Sequence, residues 1–463
     1  MPSQIELDGR ASGSAAAVRI APRALPRWRV EAGPAALAVL AAAAAALALG
    51  AAGTRYLILA GAGPAVPDWI AGPLADAGWQ MAPALTCVLL VAIVLAYLAV
   101  LRWSETIPVR WAIGAIVALH VLLLLAPPLL SSDVFNYIDS GRLEAIYGLN
   151  PYLAAPLARP ADPAFALTGM AWVGSPSVYG PGFTLLAAAL APLGVAAQLW
   201  ALKALAALAS LACTALVWSC ARRLGRPPLK ATLFFALNPL VLVAAVGGAH
   251  NDLLMVLLTL LGVRLALGER TRPAVVAVVG AVAVKLTAAL VLPFLVAGGG
   301  RPRWRGAAAT SVAAAAGLAI VALALFGTAP FHLAQTLSDG GARHVGELRS
   351  IPGFLAGYAG VGPIGPLARG LLALACLTAV AALGWRALAG RMPWLTAASW
   401  SVVAVLVTST RLEPWYAVWL IPLAAVSGDR RVQRASHALL LAIAFIAFAR
   451  YALRLGIGWP HSG

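Results

Sequence analysis

The feature that most constrains this chain is a series of long apolar runs separated by short clusters of arginine. Of its 463 residues, 62% are hydrophobic and 11% are charged, whereas a soluble domain carries about 25% charged residues. An apolar run of about 20 residues crosses a bilayer as a helix. The pattern therefore predicts an all-α polytopic membrane protein, with about 10–12 transmembrane helices, some re-entrant or half-length helices, and loops at the outer face.

The net charge of +17 has its source in these arginine clusters. A basic chain can indicate a nucleic-acid partner, but short basic loops between apolar runs are typical of the cytoplasmic side of a membrane. We therefore expect membrane lipids as partners and no nucleic acid. Residues 1–32 are predicted to be a disordered basic cytoplasmic tail, and residues 33–463 to be one multi-pass transmembrane domain.

Two apolar segments do not fit a simple series of crossings. The segment 183–221 begins outside and ends in a basic cluster, which favours a short interfacial helix at 183–195 followed by one span at 198–221. The run 273–298 has basic clusters at both ends, so two half-length helices that meet near Lys285 would keep both ends inside. A broken helix at membrane depth must be buried in protein or line a cavity, which makes Lys285 a candidate functional residue.

One stretch, SSDVFNYIDSGRLEAIYGLNPY at 131–152, is unusually polar for this chain. It contains Asp133, Asp139 and Glu144, although the whole chain has only 16 acidic residues. The stretch follows the third predicted span and is therefore placed outside. Ionisable residues at a membrane edge are candidates for function, and an ordinary polar loop between two spans is the alternative.

The same topology brings further polar groups to the outer face. They are His250, Asn251, Asp252, Arg343, Arg349, Arg411 and Glu413, with Lys285 beside them if the half-helix pair is correct. A carboxylate can act as general base on a hydroxyl, and arginine and lysine can hold a phosphate as it leaves. Together with tyrosine and tryptophan, which stack on sugars, these groups suit sugar transfer from a lipid-linked phosphosugar.

Five motifs in this order carry a resemblance to a known family. They are the 131–152 stretch, SVYGPGF (177–183), NPLVLVAAVGGAHNDLLM (238–255), VKLTAALVLPF (284–294) and RLEPWYAVWLIPL (411–423). They resemble the GT-C glycosyltransferases that use polyprenyl-phosphate sugars, and among these the polyprenol-phosphate-mannose-dependent α-(1→6)-mannosyltransferases. The resemblance covers residues 110–425 and implies a GT-C-type helical bundle in a bacterial inner membrane, with its active site facing the periplasm.

The resemblance also implies roles for the candidate residues. Asp133 is the expected general base of an inverting transfer, and Asp139 and Glu144 are alternatives. Lys285 and Arg411 are expected to bind the donor phosphate, with Arg343 and Arg349 as weaker candidates. The expected contacts to sugar or acceptor are Tyr137, Tyr179, His250, Asn251, Asp252, Glu413, Trp415 and Tyr416. The expected donor is a polyprenyl-phosphate sugar, with mannose as the sugar, the expected acceptor is a glycan or lipid, and no metal or other cofactor is expected.

Each assignment has a structural alternative. Lys285 would extend to lipid headgroups as a boundary residue, and Arg411 would simply pair with Glu413. His250, Asn251 and Asp252 would cap a helix that starts at Leu253. The aromatic residues would form an interfacial belt. Lys203, inside a span, has no explanation from the sequence.

Two other functions fit the composition. A multi-pass lipid or solute transporter or flippase would line its path with the same charges, although inverted repeats, which such proteins often contain, are not visible here. A non-catalytic membrane scaffold would leave the outer polar clusters unexplained.

Overall fold

The computed structural model describes residues 27–54, 67–298, 304–332 and 350–454, and all regular structure within them is helical. In chain order the α-helices are α1 (Arg27–Thr54), α2 (Pro83–Arg102), α3 (Val109–Leu125), α4 (Asp133–Ala145), α5 (Pro181–Leu190), α6 (Val195–Arg223), α7 (Pro228–Ala236), α8 (Asp252–Leu267), α9 (Thr271–Val284), α10 (Leu292–Gly298), α11 (Trp304–Phe326), α12 (Ile351–Tyr358), α13 (Pro366–Leu388), α14 (Trp394–Thr408), α15 (Ile421–Ser427) and α16 (Arg430–Arg454). A π-helix at Leu240–Val246 and 3-10 helices at Leu286–Val291 and Pro414–Trp419 lie between them.

Within the described ranges, five helices are long and apolar enough to cross a membrane, or up to six if one bent pair counts as a single span. The five are α1, α2, α6, α11 and α13. Several further apolar helices have 10–17 residues. The predicted class of an all-α polytopic membrane protein is confirmed, and many of its apolar segments are short or interrupted rather than full-length.

The bent pair is α7 followed by the π-helix, at an angle of 43°. Pro239 lies at the bend; it lacks a backbone N–H and disfavours helical geometry in the preceding residue. The Asn238 side-chain oxygen accepts a hydrogen bond from the Leu240 backbone N–H at 3.0 Å. The asparagine thus satisfies a donor that the broken helix leaves open.

The predicted division of 183–221 is confirmed. A short helix, α5, is followed by the single long helix α6. Gly194, with φ of +79°, makes the turn between them, a conformation that glycine adopts without a steric penalty.

The predicted break at Lys285 is also confirmed. Helix α9 ends at Val284, and the chain then forms a 3-10 helix and α10. Leu295 of α10 shares a buried cluster with Ala274 and Val278 of α9. The second half therefore runs back beside the first, and Lys285 lies at the tip of a re-entrant pair.

Three predictions fall wholly or partly outside the described residues. Helix α1 begins at Arg27, so residues 27–32 are helical rather than part of a disordered tail, and residues 1–26 lie outside the described ranges. Arg343 and Arg349 also lie outside them.

Candidate active site

Helix α4 carries the candidate base at its first residue. Although most of its residues are buried, this helix is polar and is not one of the candidate spans. Gly141 allows the close packing, because a Cβ atom there would lie 2.4 Å from the Ala187 carbonyl carbon and oxygen of α5. The Asp133 backbone N–H donates to Ser131 Oγ at 3.2 Å, and its carboxylate lies in the first turn, where the helix dipole favours negative charge.

The Asp133 carboxylate is held but remains accessible. The Trp172 indole N–H donates to Oδ1 at 2.9 Å, and the side chain is 14% exposed. Burial raises the pKa of Asp133 to about 6; the Trp172 hydrogen bond opposes this shift, Glu413 adds to it, and the positive charges of Arg411 and Lys285 oppose it. A carboxylate with a pKa just below neutrality is ionised at pH 7 and still basic enough to accept a proton.

His250 lies against this carboxylate as a neutral ring. Its Nδ1 is 3.8 Å from Asp133 Oδ2 and 3.3 Å from Tyr137 Oη. Burial, and to a lesser extent the charge of Lys285, lowers the pKa of His250 well below its usual value, so the contact with Asp133 is not an ion pair at neutral pH. The ring stacks on Trp415, with 3.7 Å between the centroids and 15° between the planes.

Several buried polar atoms around this ring have no hydrogen-bond partner among the described residues. They are His250 Nε2, both side-chain polar atoms of Asn251, and Asn136 Oδ1. Because buried polar atoms in folded proteins are nearly always paired, these atoms mark where polar groups of a ligand could bind. Asn251 occupies the N-cap position of α8, but its side chain makes no capping bond, so the capping alternative is wrong for this side chain.

Lys285 forms an ion pair with Asp252. Its Nζ lies 2.8 and 2.9 Å from the two carboxylate oxygens, and the Trp419 indole N–H donates to the same carboxylate at 2.6 Å. The ammonium group is 5.1 Å from the ring centroid of Tyr416 and 5.5 Å from that of Trp419. With a side chain only 15% exposed, Lys285 does not extend to headgroups as a boundary residue would.

Arg411 brings a second cation to the same face. Its guanidinium lies 5.4 Å from the Trp172 ring centroid, so the tryptophan that holds Asp133 also supports this arginine. The distance from Arg411 Nε to Glu413 Oε1 is 3.4 Å. The predicted pair with Glu413 is therefore present, but it is long and is not the only contact of the arginine.

The two tyrosines predicted from α4 and the 177–183 motif lie behind the carboxylate. Tyr137 and Tyr179 meet edge to face at 4.8 Å, and Asn136 donates to Tyr179 Oη at 3.1 Å. Tyr416 stacks on Trp419 at 4.6 Å. The structure thus brings these predicted residues together with Asp133 and Lys285.

The alternative bases face different residues. Thr168 Oγ1 donates to Asp139 at 2.5 Å, and burial raises the pKa of Asp139 to about 7. The nearby Arg142 pairs with Asp162 at 2.9 Å. Glu144 lies in the last turn of α4 and is partly exposed. Of the acidic residues in this helix, Asp133 is the one that contacts Trp172 and His250.

Comparison with known proteins identifies the family of this chain. A family model described as "alpha-(1->6)-mannopyranosyltransferase, N-terminal domain" matches residues 36–298. The chain belongs to this family. The match includes Asp133, His250, Asp252 and Lys285, whereas Arg411 lies beyond it.

Curated relatives extend the similarity. The chain is 30% identical over 339 residues to alpha-(1->6)-mannopyranosyltransferase A of Mycobacterium tuberculosis, which covers 67% of this chain and 64% of the relative. It is 31% identical over 189 residues to alpha-(1->6)-mannopyranosyltransferase A of Corynebacterium glutamicum, 39% of this chain and 37% of the relative. It is 26% identical over 357 residues to a probable alpha-(1->6)-mannopyranosyltransferase of Mycolicibacterium smegmatis, 66% of this chain and 63% of the relative. The chain therefore spans less than two thirds of the length of these relatives. No solved structure matches it.

Three residues that hold or support the site had no role assigned from the sequence. Trp172 and Trp419 each donate an indole N–H to a site carboxylate, but the sequence placed neither in the site. Lys203, which the sequence left unexplained, is fully buried and donates to the Gly247 carbonyl at 3.3 Å. The same carbonyl accepts from the Leu129 N–H at 3.0 Å, so Lys203 helps to tie the segment before Asp133 to the turn that carries His250.

Proposed function

We propose that this protein is an inverting membrane glycosyltransferase that moves mannose from a polyprenyl-phosphate donor to a hydroxyl of a glycan or lipid acceptor. The observation that carries the proposal is the group formed by Asp133, Trp172 and Arg411, in which one tryptophan supports both a partly exposed carboxylate and a cation. Membership of the mannopyranosyltransferase family supports mannose as the sugar and a hydroxyl as the acceptor.

In the proposed reaction the acceptor hydroxyl attacks C1 of the sugar from the face opposite the phosphate. Asp133 accepts the hydroxyl proton, the new C1–O bond forms, and the bond from C1 to the phosphate oxygen breaks with its electron pair going to the phosphate. A single displacement needs one base and no enzyme nucleophile, and it inverts the configuration at C1. With a pKa of about 6, Asp133 is ionised before attack at pH 7.

The leaving phosphate needs positive charge. Lys285 uses two contacts on Asp252, and an ammonium group has three N–H donors, so one remains for a phosphate oxygen. Arg411 supplies the second cation, and its planar guanidinium suits a phosphate. We propose that these two cations take the charge of the leaving group and that no metal is required.

Sugar hydroxyls would be bound by groups that lack partners. The Asn251 amide offers both donors and an acceptor, and His250 Nε2 lies on the same turn. Trp415, stacked on His250, and Tyr416 provide aromatic surface for a sugar.

We propose that Asp133 faces the outside of a bacterial inner membrane. The arginine-rich ends of α6 and α13 would then face the cytoplasm, in agreement with the preference of basic residues for that side.

The decisive experiment uses purified protein with radiolabelled polyprenyl-phosphate mannose and a membrane-lipid extract, with and without EDTA. Wild type should transfer label under both conditions. Asp133→Asn should lose at least about 100-fold in rate, as expected for loss of a general base, while melting like wild type. Glu144→Gln, at the far end of the same helix, should retain activity.

Other outcomes would contradict specific parts of the proposal. Loss of transfer in Asp139→Asn but not in Asp133→Asn would make Asp139 the general base instead of Asp133. Loss of transfer in EDTA would contradict the metal-free mechanism. A wild-type protein that moves intact donor across vesicles and transfers no label would be a transporter.

A further inference from the structure

A second charged region lies at the end of the bundle opposite Asp133. A cavity of about 530 Å³ opens between the ends of α6 and α8 and the start of α9. Its lining residues include Leu216, Ser219, Arg223, Arg264, Leu265 and Arg270. Helix α8 has 16 residues and so places this cavity about 24 Å from Asp252. It is therefore separate from the candidate active site.

Two of its arginines are fixed in place through one nitrogen each. Arg264 Nε donates to Ser219 Oγ at 2.7 Å, and Arg223 Nε donates to the Leu267 carbonyl. In both side chains the outer guanidinium nitrogens make no hydrogen bond to another described residue, which leaves them for a ligand. Among the described residues, no ion pair shorter than 4 Å involves Arg223, Arg264 or Arg270.

The start of α9 adds a further feature that attracts anions. Arg270 precedes its first turn, and no side chain caps the helix. The first N–H groups of an uncapped helix, together with the helix dipole, bind phosphates and other anions readily. Free carbonyl groups at the C-terminal ends of α6 and α8 would repel an anion. Two of these carbonyls are already occupied, because the Arg226 N–H bonds the Ala221 carbonyl and the Arg270 N–H bonds the Leu265 carbonyl.

The lining also has an apolar side. Leu216 and Leu265 line the cavity beside the arginines, and the α6 surface nearby is part of a candidate span. A ligand that fits would combine an anionic phosphate with an alkyl chain. Arginines that only follow the usual bias of cytoplasmic loops need no such cavity. Arg386, in the last turn of α13, and Arg391, in the connection to α14, are exposed examples and are not among its lining residues.

We propose that this cavity binds the phosphate of an anionic membrane phospholipid. The arginine nitrogens and the α9 N-terminus would contact the phosphodiester, and an acyl chain would lie against the leucines. This site does not depend on the proposed sugar transfer, since it lies at the other end of the bundle.

The test uses full-length protein in a neutral detergent. Binding of dioleoyl phosphatidylglycerol would be measured by native mass spectrometry and by the rise in melting temperature, with dioleoyl phosphatidylcholine and inorganic phosphate as comparison probes. Arg223→Gln with Arg270→Gln, both exposed residues, should weaken phosphatidylglycerol binding about tenfold or more, because each charge-assisted hydrogen bond carries on that order of affinity. Arg386→Gln with Arg391→Gln removes the same charge elsewhere and should bind like wild type.

Each result decides the proposal. Selective loss in the cavity variant supports it. Equal loss in both double variants would show that only overall charge matters and would overturn it. If phosphatidylcholine bound equally well, the site would not require an anionic lipid and the proposal would be wrong. If inorganic phosphate stabilised the protein equally, the site would bind a free anion rather than a lipid. If the double variant does not fold, Arg264→Lys is the alternative, because it keeps the charge but loses the bond to Ser219. An unchanged preference for phosphatidylglycerol in Arg264→Lys would overturn the role of Arg264.

Discussion

Trp172 donates its indole N–H to the Asp133 carboxylate at 2.9 Å, although the two residues are 39 positions apart. The same indole ring lies below the Arg411 guanidinium. One side chain thus orients the candidate base and supports a candidate phosphate ligand. Because the hydrogen bond favours the ionised carboxylate, Trp172 also lowers the pKa of Asp133 against the effect of burial.

This relationship predicts a pH effect. A general base must be deprotonated, so transfer should be lost as the pH falls through the Asp133 pKa of about 6. Trp172→Phe keeps an aromatic ring under Arg411 but removes the donor, which should raise that pKa and shift the acid limb of the rate profile to higher pH. The rate at pH 6 should then fall more than the rate at pH 8.

The measurement is the pH dependence of transfer in both proteins. Trp385→Phe, at a tryptophan that is 66% exposed on α13, is the matched control and should keep the wild-type profile. If Trp172→Phe left the acid limb of the rate profile unchanged, that limb would not report the ionisation of Asp133.

The Lys285–Asp252 pair predicts a non-additive stability effect. Lys285→Met would leave the fully buried Asp252 carboxylate without its cation, which should cost about 3–5 kcal/mol in the free energy of unfolding. Lys285→Met combined with Asp252→Asn should be less destabilised than the single variant, because the unpaired charge is gone. Thermal unfolding of the wild type, both single variants and the double variant would measure the coupling.

Transfer assays on the same variants separate a structural lysine from a phosphate ligand. Because Asp252 is itself an expected sugar contact, the reference is Asp252→Asn alone. If Lys285 contacts the donor phosphate, the double variant should transfer less than Asp252→Asn although its stability is partly restored. Recovery of transfer in the double variant would mean that Lys285 acts only as the partner of Asp252.

The sequence predicted those features that depend on local pattern. Basic clusters at both ends of 273–298 were enough to predict the break at Lys285, because each cluster favours the same side of the membrane. The polar 131–152 stretch and the His250 turn were likewise recognised as one face. These predictions hold because membrane topology is set by length, hydrophobicity and charge along the chain.

Other parts of the site depend on how helices pack in three dimensions. Asn251 fits a local capping rule, but the tip of the re-entrant pair meets this turn and pairs Lys285 with Asp252 instead. Trp172 and Trp419 fit an interfacial belt, since composition alone does not distinguish a tryptophan that faces lipid from one that donates to a carboxylate. Lys203 found its partner in a backbone carbonyl, which leaves no sequence signal.

The Arg142–Asp162 pair predicts how stability depends on pH. Burial favours the protonated acid, but hydrogen bonds from Arg142, the Ala164 N–H and Tyr147 outweigh it and lower the pKa of Asp162. A lowered folded-state pKa gives stability that is complete above the unfolded value of about 3.9 and is lost as the pH falls through the folded value. Asp162→Asn should therefore lower the free energy of unfolding by about 3 kcal/mol at pH 7, and by progressively less as the medium is acidified.

Melting curves between about pH 2 and pH 7, which bracket the titration of an aspartate with a lowered pKa, would test this expectation. Arg159→Gln is the control, because the Arg159 side chain is exposed and lies 5.0 Å from the centroid of the Tyr147 ring, without an ion pair to any described residue. It should change the melting temperature little. A loss of stability in Asp162→Asn that is the same at every pH would contradict the assigned role of the ionised carboxylate.

Two glycines of one loop provide a test of how the tip of the re-entrant pair is positioned. A Cβ atom at Gly180 would lie 2.3 Å from the Ala283 carbonyl oxygen, and the Gly180 N–H donates to the Val284 carbonyl at 3.0 Å, directly before Lys285. Gly180→Ala must therefore move the loop or the tip. Since a shift of about 1 Å in a catalytic group can cost about 100-fold in rate, transfer should fall by that order. Gly174→Ala in the same loop meets no atom within 4 Å and should behave like wild type in both rate and melting temperature. Equal activity of the two variants would show that contact between the loop and the tip does not position Lys285 for the reaction.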